Sequence, residues 1–298
     1  MISALASTVS FIVRHPLNRH QRARAIARFI RWQVGSRLLP GAVAVPFVDS
    51  TRLLVTPGMT GATQNVYCGL QEFEDMAFVL HVLRPDDLFV DVGANVGTYT
   101  VLAGGAVGAR CVSFEPVPRT FRHLLDNVRI NALEAVVDSR NVAVGASTDR
   151  LAFTCGLDTM NHVLAAGERH EEVVEVPVEP LDAALSGESP TVIKIDVEGY
   201  ETDVLNGGAE TFSKGSLLAV LVELNGSGQR YGHDEGSIHR RLLDCGFCAA
   251  TYEPQGRNLR VTRSRGLTSG NVLYIRDFQS ISERLRSARG FQVGGRTV

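Results

Sequence analysis

The sequence predicts a doubly wound α/β domain, in which a mostly parallel sheet carries helices on both faces. Short apolar runs alternate with segments of helical periodicity along most of the chain, and this alternation is typical of βαβ units. Four of the apolar runs end in an acid: Asp91, Glu115, Asp196 and Glu223. Because ligands of such sheets bind at the carboxyl ends of the strands, we expect these acids to surround one ligand or ion.

Composition narrows the class of protein. The chain has 298 residues, of which 44% are hydrophobic, and this is enough for one large core or two small ones. The formal net charge of −2 gives no sign of a nucleic-acid partner, and we expect none. The five scattered cysteines, with no secretory segment and no apolar stretch of about 20 residues, predict a cytoplasmic protein with reduced thiols.

Residues 1–60 differ from the rest of the chain. No acid precedes Asp49, and apolar residues at helical spacing over residues 1–40 predict a basic helical arm. The arginines of this arm are Arg14, Arg19, Arg22, Arg24, Arg28, Arg31 and Arg37. Three interpretations stay open: the arm packs on the main domain, rests on anionic lipid or an acidic partner as a peripheral contact, or is a transit-like segment. A small hairpin is predicted between Pro40 and Pro57.

The main domain, residues 61–276, is organised around LFVDVGANVGTYT at positions 88–100. Its first residues form a short apolar run that predicts a strand buried on both faces, ending at Asp91 and Gly93. The glycine spacing, Gly93 to Gly97, is neither the G-x-G-x-x-G of dinucleotide folds nor a phosphate loop. An acid at the strand end would repel a pyrophosphate but would attract the amino group of S-adenosylmethionine.

The second predicted strand, 109–114, ends in Glu115-Pro116. In a right-handed βαβ unit, an acid at this position lies beside the ligand of the first strand. Such a carboxylate can accept hydrogen bonds from both hydroxyls of a ribose. The separation from Asp91 is close to the roughly 20 residues expected between these two positions.

Further strands are predicted at 141–145, at 191–196 and at 217–223, and two last strands at 247–252 and 271–275. The segment 150–178 has the pattern of an inserted pair of strands with a polar loop, placed to read an acceptor. The tail, 277–298, is rich in arginine and glycine, and we expect it to be loosely held.

Five motifs, DVGANVGTYT, FEP, NVAVGA, IKIDVEGYE and LVEL, occur in this order. In sequence and spacing they resemble the FkbM family of S-adenosylmethionine-dependent methyltransferases, over roughly residues 71–276. The resemblance implies a Rossmann-like class I methyltransferase fold with a seven-stranded, mostly parallel sheet whose last strand is antiparallel. It also implies O-methylation of a hydroxyl on a sugar, polysaccharide, glycolipid or other natural product.

Carried over by matching position, the resemblance implies a set of cofactor-binding residues. These are Asp91, Gly93, Ala94, Asn95 and Gly97 for the methionine part, Glu115 and Pro116 for the ribose, and Asn141, Val142 and Ala143 for the adenine. Asp196 would lie near the sulfonium and the acceptor.

Methyl transfer to an alcohol requires a group that takes up the hydroxyl proton. His162 in the inserted segment is the first candidate base, with Asp158 as its orienting partner, and His233 is the second. Asp196 and Glu198 complete the candidate catalytic residues, with Glu198 expected to orient the acceptor.

Two alternatives remain open from the sequence. Asp196, Glu223 and Asn225 place oxygen donors where catechol-type O-methyltransferases hold Mg²⁺, and a metal would lower the pKa of the alcohol directly. A non-catalytic nucleotide-binding or membrane-docking module is the alternative outside the enzymes. A nicotinamide or nucleotide-sugar oxidoreductase is disfavoured by the missing G-x-G-x-x-G.

Overall fold

The computed structural model describes residues 2–38, 41–157, 160–262 and 270–298. In chain order the helices are α1 (Ile2–Arg14), α2 (Arg22–Leu38), α3 (Thr60–Cys68), α4 (Phe73–Val82), α5 (Thr98–Thr100), α6 (Pro118–Ile130), α7 (Leu181–Ala184), α8 (Glu201–Asn206), α9 (Ala209–Ser213), α10 (Glu235–Asp244) and α11 (Phe278–Ser287). The strands are β1 (Val43–Pro46), β2 (Arg52–Val55), β3 (Leu88–Val92), β4 (Arg110–Phe114), β5 (Val137–Arg140), β6 (Ala143–Gly145), β7 (Asp149–Thr154), β8 (Val173–Pro180), β9 (Val192–Ile195), β10 (Ala219–Leu224), β11 (Cys248–Glu253), β12 (Asn258–Val261), β13 (Gly270–Ile275), β14 (Gln292–Val293) and β15 (Arg296–Thr297). A π-helical turn, Val101–Val107, extends α5.

The main sheet has the strand order β12-β11-β13-β10-β9-β3-β4-β5. Strands β5, β4, β3, β9 and β10 are parallel to one another, and β13 runs antiparallel between β10 and β11. Every residue of β3 is buried, as its apolar run predicts for a central strand covered on both faces. The predicted α/β class and the antiparallel strand are confirmed, and β12 adds an eighth strand at the edge that the sequence did not indicate.

The third strand of the prediction was misplaced. It is β5, residues 137–140, that pairs with β4, whereas the predicted segment 141–145 leaves the main sheet. Its residues Ala143–Gly145 form β6, which pairs with β8 in a separate three-stranded sheet, β6-β8-β7. Both segments are short, and β6 is the more apolar of the two because all three of its residues are buried, whereas β5 has one buried residue. Apolar character alone therefore selected the wrong one.

The inserted segment contains the expected pair of strands. β7 and β8 pair antiparallel over their whole length. The second sheet lies beside the carboxyl ends of the main sheet, since Phe153 of β7 and Val144 of β6 both line a cavity there. The insertion is thus placed next to the ends of the parallel strands.

The N-terminal arm packs on the body of the protein. Ile12, Phe29 and Trp32 are buried, and the Phe29 ring meets the edge of Tyr67 from α3 with centroids 5.1 Å apart. The predicted hairpin is present as β1 and β2. None of the helices in the described part of the chain is long and apolar enough to span a bilayer.

The prediction of a loosely held tail was wrong. α11 begins at an Asp277 cap, whose carboxylate accepts a hydrogen bond from the Ser280 amide, and its Ile281 and Leu285 are fully buried. β14 and β15 then form a hairpin, and Val293 bridges to Val48 beside β1. Apolar residues four apart on one helix face anchor this segment to the core, and Arg284 on the same helix adds an ion pair with Asp87.

Candidate active site

A cavity of about 240 Å³ lies at the carboxyl ends of β3, β4, β9 and β10, and we call it the strand-end cavity. All four strand-terminal acids line it: Asp91, Glu115, Asp196 and Glu223. The opposite wall comes from α3 and the start of α4. The right-handed crossovers bring these residues together from positions far apart in the chain.

The loop after β3 is held in place by its glycines. Gly93 has φ +79°, and its amide donates a hydrogen bond to the Phe114 carbonyl at the end of β4. A Cβ at this position would lie 1.8 Å from the Asp196 carbonyl oxygen, so only glycine lets this loop meet the end of β9. Gly97, with φ +83°, is in a similar position, because a Cβ would lie 2.4 Å from Leu124 Cδ1.

Asp91 has one satisfied and one unsatisfied oxygen. Its Oδ2 accepts a hydrogen bond from the Thr100 hydroxyl at 2.7 Å. Its Oδ1 is buried and has no hydrogen-bond partner in the described structure. Burial raises the pKa of this carboxyl, against the opposing influence of the Lys194 charge. A buried acceptor without a donor fits a ligand that supplies an ammonium or a hydroxyl.

Glu115 is fixed by the backbone around it. Its Oε2 accepts the Asn95 amide at 3.0 Å, and its Oε1 accepts the Val117 amide at 2.9 Å. Burial raises the pKa of Glu115 to about 7, although these two amides act in the opposite direction. Each carboxylate oxygen has a second lone pair, so the group can still accept hydrogen bonds from two ligand hydroxyls.

The residues expected near an adenine separate into two groups. Val142 and Ala143 line the strand-end cavity, as do Pro116, which was expected at the ribose, and Ala94 and Asn95 of the first loop. The Asn141 side chain is engaged elsewhere, because its amide donates to the carbonyls of Glu115 and Pro116 at 2.8 and 2.9 Å. Asn141 therefore positions the loop that carries Glu115, and the expectation that it contacts the ligand is not supported.

A buried lysine, which sequence reasoning missed, occupies the centre of the cavity wall. Lys194 Nζ lies 2.7 Å from Asp196 Oδ2 and 4.9 Å from the centroid of the Tyr99 ring. Burial alone would lower its pKa, but the nearby carboxylates of Asp196, Asp91 and Glu72 raise it above the ordinary value. Tyr99 in turn donates its hydroxyl to Glu72 at 2.6 Å. The only sequence signal was a lysine inside an apolar strand.

Three carboxylates gather at the ends of β9 and β10. Asp196, Glu198 and Glu223 each offer an oxygen atom, and these atoms lie within 4.8 Å of one another. Burial and the proximity of Asp196 raise the pKa of Glu223 to about 9, and the same two causes raise that of Glu198. Glu198 has φ +54°, which is unusual for a residue with a side chain and directs the loop after β9. The cluster therefore retains a proton at neutral pH.

The metal-binding set predicted from sequence is not assembled. The amide nitrogen of Asn225 donates to Glu223 Oε2 at 3.1 Å, and its carbonyl oxygen accepts the Ser227 amide at 2.9 Å. The nitrogen of the Asn225 amide, and not its oxygen, is therefore directed at Glu223. In the structure Glu198 takes the third place in the acidic cluster, and Lys194 already supplies a positive charge to Asp196.

Neither histidine is placed as a base. His162 is buried, with Nδ1 2.8 Å from the Met160 carbonyl and Nε2 3.0 Å from Glu168 Oε1. Both ring nitrogens are therefore engaged by acceptors of the inserted segment, and neither His162 nor His233 lines the strand-end cavity. Asp158, its expected partner, lies outside the described residues. His233 Nε2 is 3.5 Å from Asp203.

Comparison with known proteins identifies the domain. The model of the methyltransferase FkbM domain matches residues 91–248, a span of just over half the chain that contains all four strand-terminal acids. The chain is 26% identical over 166 residues to hexuronic acid methyltransferase AglP of Haloferax volcanii, a match that covers 52% of this chain and 62% of that protein. It is 30% identical over 149 residues to methyltransferase 1 of Beauveria bassiana, covering 41% of this chain and 59% of the relative.

Solved structures of similar fold include the methyltransferase FkbM from Methylobacillus flagellatus. That match has a TM-score of 0.45 at 16% identity and covers 85% of this chain and 60% of the other. The matches to the two curated relatives span about three fifths of their length. On the strength of the family match over residues 91–248, the chain belongs to the FkbM methyltransferase family.

Proposed function

We propose that this protein is an O-methyltransferase that transfers the methyl group of S-adenosylmethionine to a hydroxyl of a sugar or a sugar-containing natural product. The observation that carries the proposal is the division of the strand-end cavity. One half presents the free oxygen of Asp91 and the lone pairs of Glu115, and the other presents the cluster Asp196, Glu198 and Glu223. The hexuronic acid methyltransferase of H. volcanii, a relative at 26% identity, supports a sugar as the acceptor.

The first half of the cavity suits the cofactor. Asp91 would accept a hydrogen bond from the α-ammonium group, and Glu115 would accept hydrogen bonds from the two ribose hydroxyls. The adenine ring would pack against the apolar surface of Pro116, Val142 and Ala143. Once bound, the cofactor supplies a methyl group already activated by its positive sulfur. Gly93 and Gly97 let the backbone approach it closely, and the loop amides bonded to Phe114 keep this half rigid.

The second half suits proton removal from a hydroxyl. Asp196 is engaged by Lys194, and Glu223 holds a proton at neutral pH because its pKa is about 9. Glu198, whose pKa is raised above the ordinary carboxyl value, is the proposed base, because a base is most effective when its pKa is near the working pH. Asp196 and Glu223 would orient the acceptor through hydrogen bonds to neighbouring hydroxyls.

The same charges favour a neutral reacting group. An anionic oxygen brought next to three carboxylates would be repelled, whereas a sugar hydroxyl can donate to them. The inserted segment 150–178 contributes Phe153 and Asn161 to the cavity wall, and we propose that it selects the acceptor. An aromatic ring beside hydrogen-bonding groups is suitable for the apolar face and polar edge of a sugar.

The proposal is tested by calorimetry and by a transfer assay. S-adenosylhomocysteine should bind with one site per chain and NADH should not; the reverse would refute the cofactor assignment. With labelled S-adenosylmethionine and a panel of sugars and glycolipids, label should appear in an O-methyl ether identified by NMR. Glu198→Gln should lower kcat by about 100-fold or more without loss of S-adenosylhomocysteine binding. Glu188→Gln, a partly exposed partner of Arg110 far from the cavity, is the matched control.

Metal assistance is the second candidate, because three clustered carboxylates are also a common Mg²⁺ ligand set. The two mechanisms differ in one measurement. If Glu198 is the base, dialysis against EDTA leaves the transfer rate unchanged, because Lys194 already balances Asp196. Loss of transfer with EDTA, restored by Mg²⁺ alone, would instead favour the metal-assisted reaction.

We further propose that the arm contacts the surface of an anionic membrane. Ile30, Val34 and Leu38 are exposed and lie four residues apart along α2, so they form one apolar stripe among the arginines of this helix. The protein should sediment with vesicles of phosphatidylglycerol and not with vesicles of phosphatidylcholine. The triple substitution Ile30→Ser, Val34→Ser and Leu38→Ser should abolish sedimentation, and unchanged binding would contradict the proposal.

A further inference from the structure

A second cavity, of about 580 Å³, lies between the N-terminal arm, the β1–β2 hairpin and the C-terminal hairpin β14–β15. We call it the arm cavity. Its walls are largely apolar and include Trp32, Val43, Val45, Val66 and Val293. The volume falls within the roughly 300–1,000 Å³ typical of small-molecule sites. A concave and largely apolar pocket of this size is therefore a candidate site for a small molecule.

The arm cavity is bordered by positive charge without a balancing acid. Arg28, Arg31 and Arg296 line it, and none of them has a carboxylate within 4.0 Å among the described residues. Arg28 donates to the Asn18 side chain at 2.7 Å and to the Tyr67 carbonyl at 2.8 Å, both uncharged, and Arg296 donates to the Leu17 carbonyl. Burial, and with it the charge of Arg296, lowers the pKa of Arg28. An anion bound beside these arginines would reduce the electrostatic repulsion between Arg28 and Arg296.

A glycine keeps the cavity open. Gly35 is on α2 and lines the cavity, and a Cβ added there would have no atom within 4 Å. Its φ is not in the left-handed region, so neither backbone conformation nor packing requires glycine at this position. A glycine inside a helix lowers stability relative to alanine. Free space next to a glycine is what a ligand in the cavity would require.

From these three observations we propose that the arm cavity binds a single-chain anionic amphiphile, with its alkyl chain against the apolar wall and its phosphate or carboxylate head at Arg28, Arg31 and Arg296. Arginine suits both heads, because its planar fork donates two parallel hydrogen bonds to an oxyanion. The charge of this site is opposite to that of the strand-end cavity, so the two take different ligands.

The helix α3 separates the two sites. Its Thr60, Gly61 and Gln64 line the strand-end cavity, its Val66 and Cys68 line the arm cavity, and Asn65 lines both. The Asn65 side chain is held by residues that line the strand-end cavity, since it donates a hydrogen bond to the Gly61 carbonyl and accepts one from the Gln71 amide. An amphiphile bound against one face of α3 is therefore close to the site proposed for methyl transfer. The binding proposal itself does not depend on that activity.

Titration calorimetry on the full chain, below micellar concentrations, tests the proposal with four probes. Octyl phosphate and octanoate should bind with one site per chain. Octyl glucoside has the same chain without the charge, and ethyl phosphate has the charge without the chain. We expect both to bind at least about 10-fold more weakly, because each removes one of the two recognised features. Equal binding of octyl glucoside or of ethyl phosphate would overturn the proposal.

Gly35→Phe fills the cavity and Gly35→Ala is its matched control. Both replace a helical glycine by a residue of higher helix propensity at a position with free space, so neither endangers the fold. Octyl phosphate affinity should fall at least about 10-fold in Gly35→Phe and change less than about 2-fold in Gly35→Ala. Arg31→Gln should weaken both anionic probes and leave octyl glucoside unchanged, whereas Arg24→Gln, exposed and outside the cavity, should alter nothing. Unaltered octyl phosphate binding in Gly35→Phe would refute the assignment.

Discussion

The two halves of the strand-end cavity hold their acids in different ways. In the cofactor half, Asp91 and Glu115 are held by a hydroxyl and by backbone amides, which are neutral and have fixed positions. In the acceptor half, Asp196, Glu198 and Glu223 have oxygens within 4.8 Å of one another, and the ammonium of Lys194 pairs with Asp196. The first half is therefore rigid and set by the main chain, whereas the second is a network of charges that should respond to pH and to single substitutions.

The largest effect should come from removing that cation. Lys194→Met leaves the buried Asp91 and the half-buried Asp196 without the positive charge of this lysine, and breaking a buried pair in this way costs about 3–5 kcal/mol. The loss should be greatest at pH 8 and smaller at pH 5, because the acids no longer need a positive neighbour once they take up protons. Urea unfolding at the two pH values measures it.

The other lysine of the chain supplies the control. Lys214 donates to the Glu188 carbonyl near the surface, away from any carboxylate cluster. Lys214→Met should shift the free energy of unfolding by about 1 kcal/mol or less, and equally at both pH values. If Lys194→Met behaves in the same manner, the acceptor half is not organised by charge.

The same contrast explains how much of the site could be predicted from sequence. Asp91, Gly93 and Glu115 follow directly after apolar runs, and the ends of parallel strands meet at one edge, so a local pattern was enough to place them together. Lys194 was missed because a lysine within an apolar run carries no sign of its partners. Glu72 directly precedes α4 and Tyr99 belongs to α5, so their proximity to this lysine depends on how those helices pack.

The remaining errors have the same origin. Residues 143–145 of the predicted segment form a buried strand, but the sheet to which this strand belongs is decided by contacts with β8 that are distant in sequence. In the tail, Ile281 and Leu285 are spaced for one helix face and Asp277 is a cap, so a signal was present. It was outweighed by the arginines that surround it. His162 looked available because nothing in the sequence indicates that Met160 and Glu168 both face its ring.

The rigidity of the cofactor half can be tested at its tightest contact. Gly93→Ala places a methyl group 1.8 Å from the Asp196 carbonyl oxygen and also strains a positive φ. The strain costs about 1–2 kcal/mol and the clash about 1–3 kcal/mol more, and S-adenosylhomocysteine binding should be lost. Gly108→Ala has the strain alone, since φ is +88° there and nothing lies within 4 Å. Similar unfolding free energies for the two variants would show that the loop after β3 can move.

The acceptor half should give stability a dependence on pH through Glu223. Its pKa is raised from 4.5 to about 9 in the folded protein, so the folded state keeps a proton that the unfolded state releases. Stability therefore falls as the pH rises between these values. Glu223→Gln removes this contribution, and its unfolding free energy should fall by about 1 kcal/mol less than that of the wild type between pH 5 and pH 8. If the unfolding free energies of the two proteins depended on pH in the same way, the proton assigned to Glu223 would be contradicted.

The smallest effect is expected at His162, although it was the first candidate base. Both ring nitrogens are directed at acceptors of the inserted segment and the ring lies outside the strand-end cavity, so we expect His162 to stabilise this segment. His162→Gln should change kcat by less than about 3-fold and leave the alkaline and acidic limbs of the pH–rate profile in place, whereas Glu198→Gln should remove one limb. His162→Gln and Glu168→Gln both remove the hydrogen bond between these two side chains, so each should lower the melting temperature by a similar amount. A drop of about 100-fold in kcat for His162→Gln, together with loss of a limb, would return the role of base to the inserted segment and leave the carboxylates to orient the acceptor.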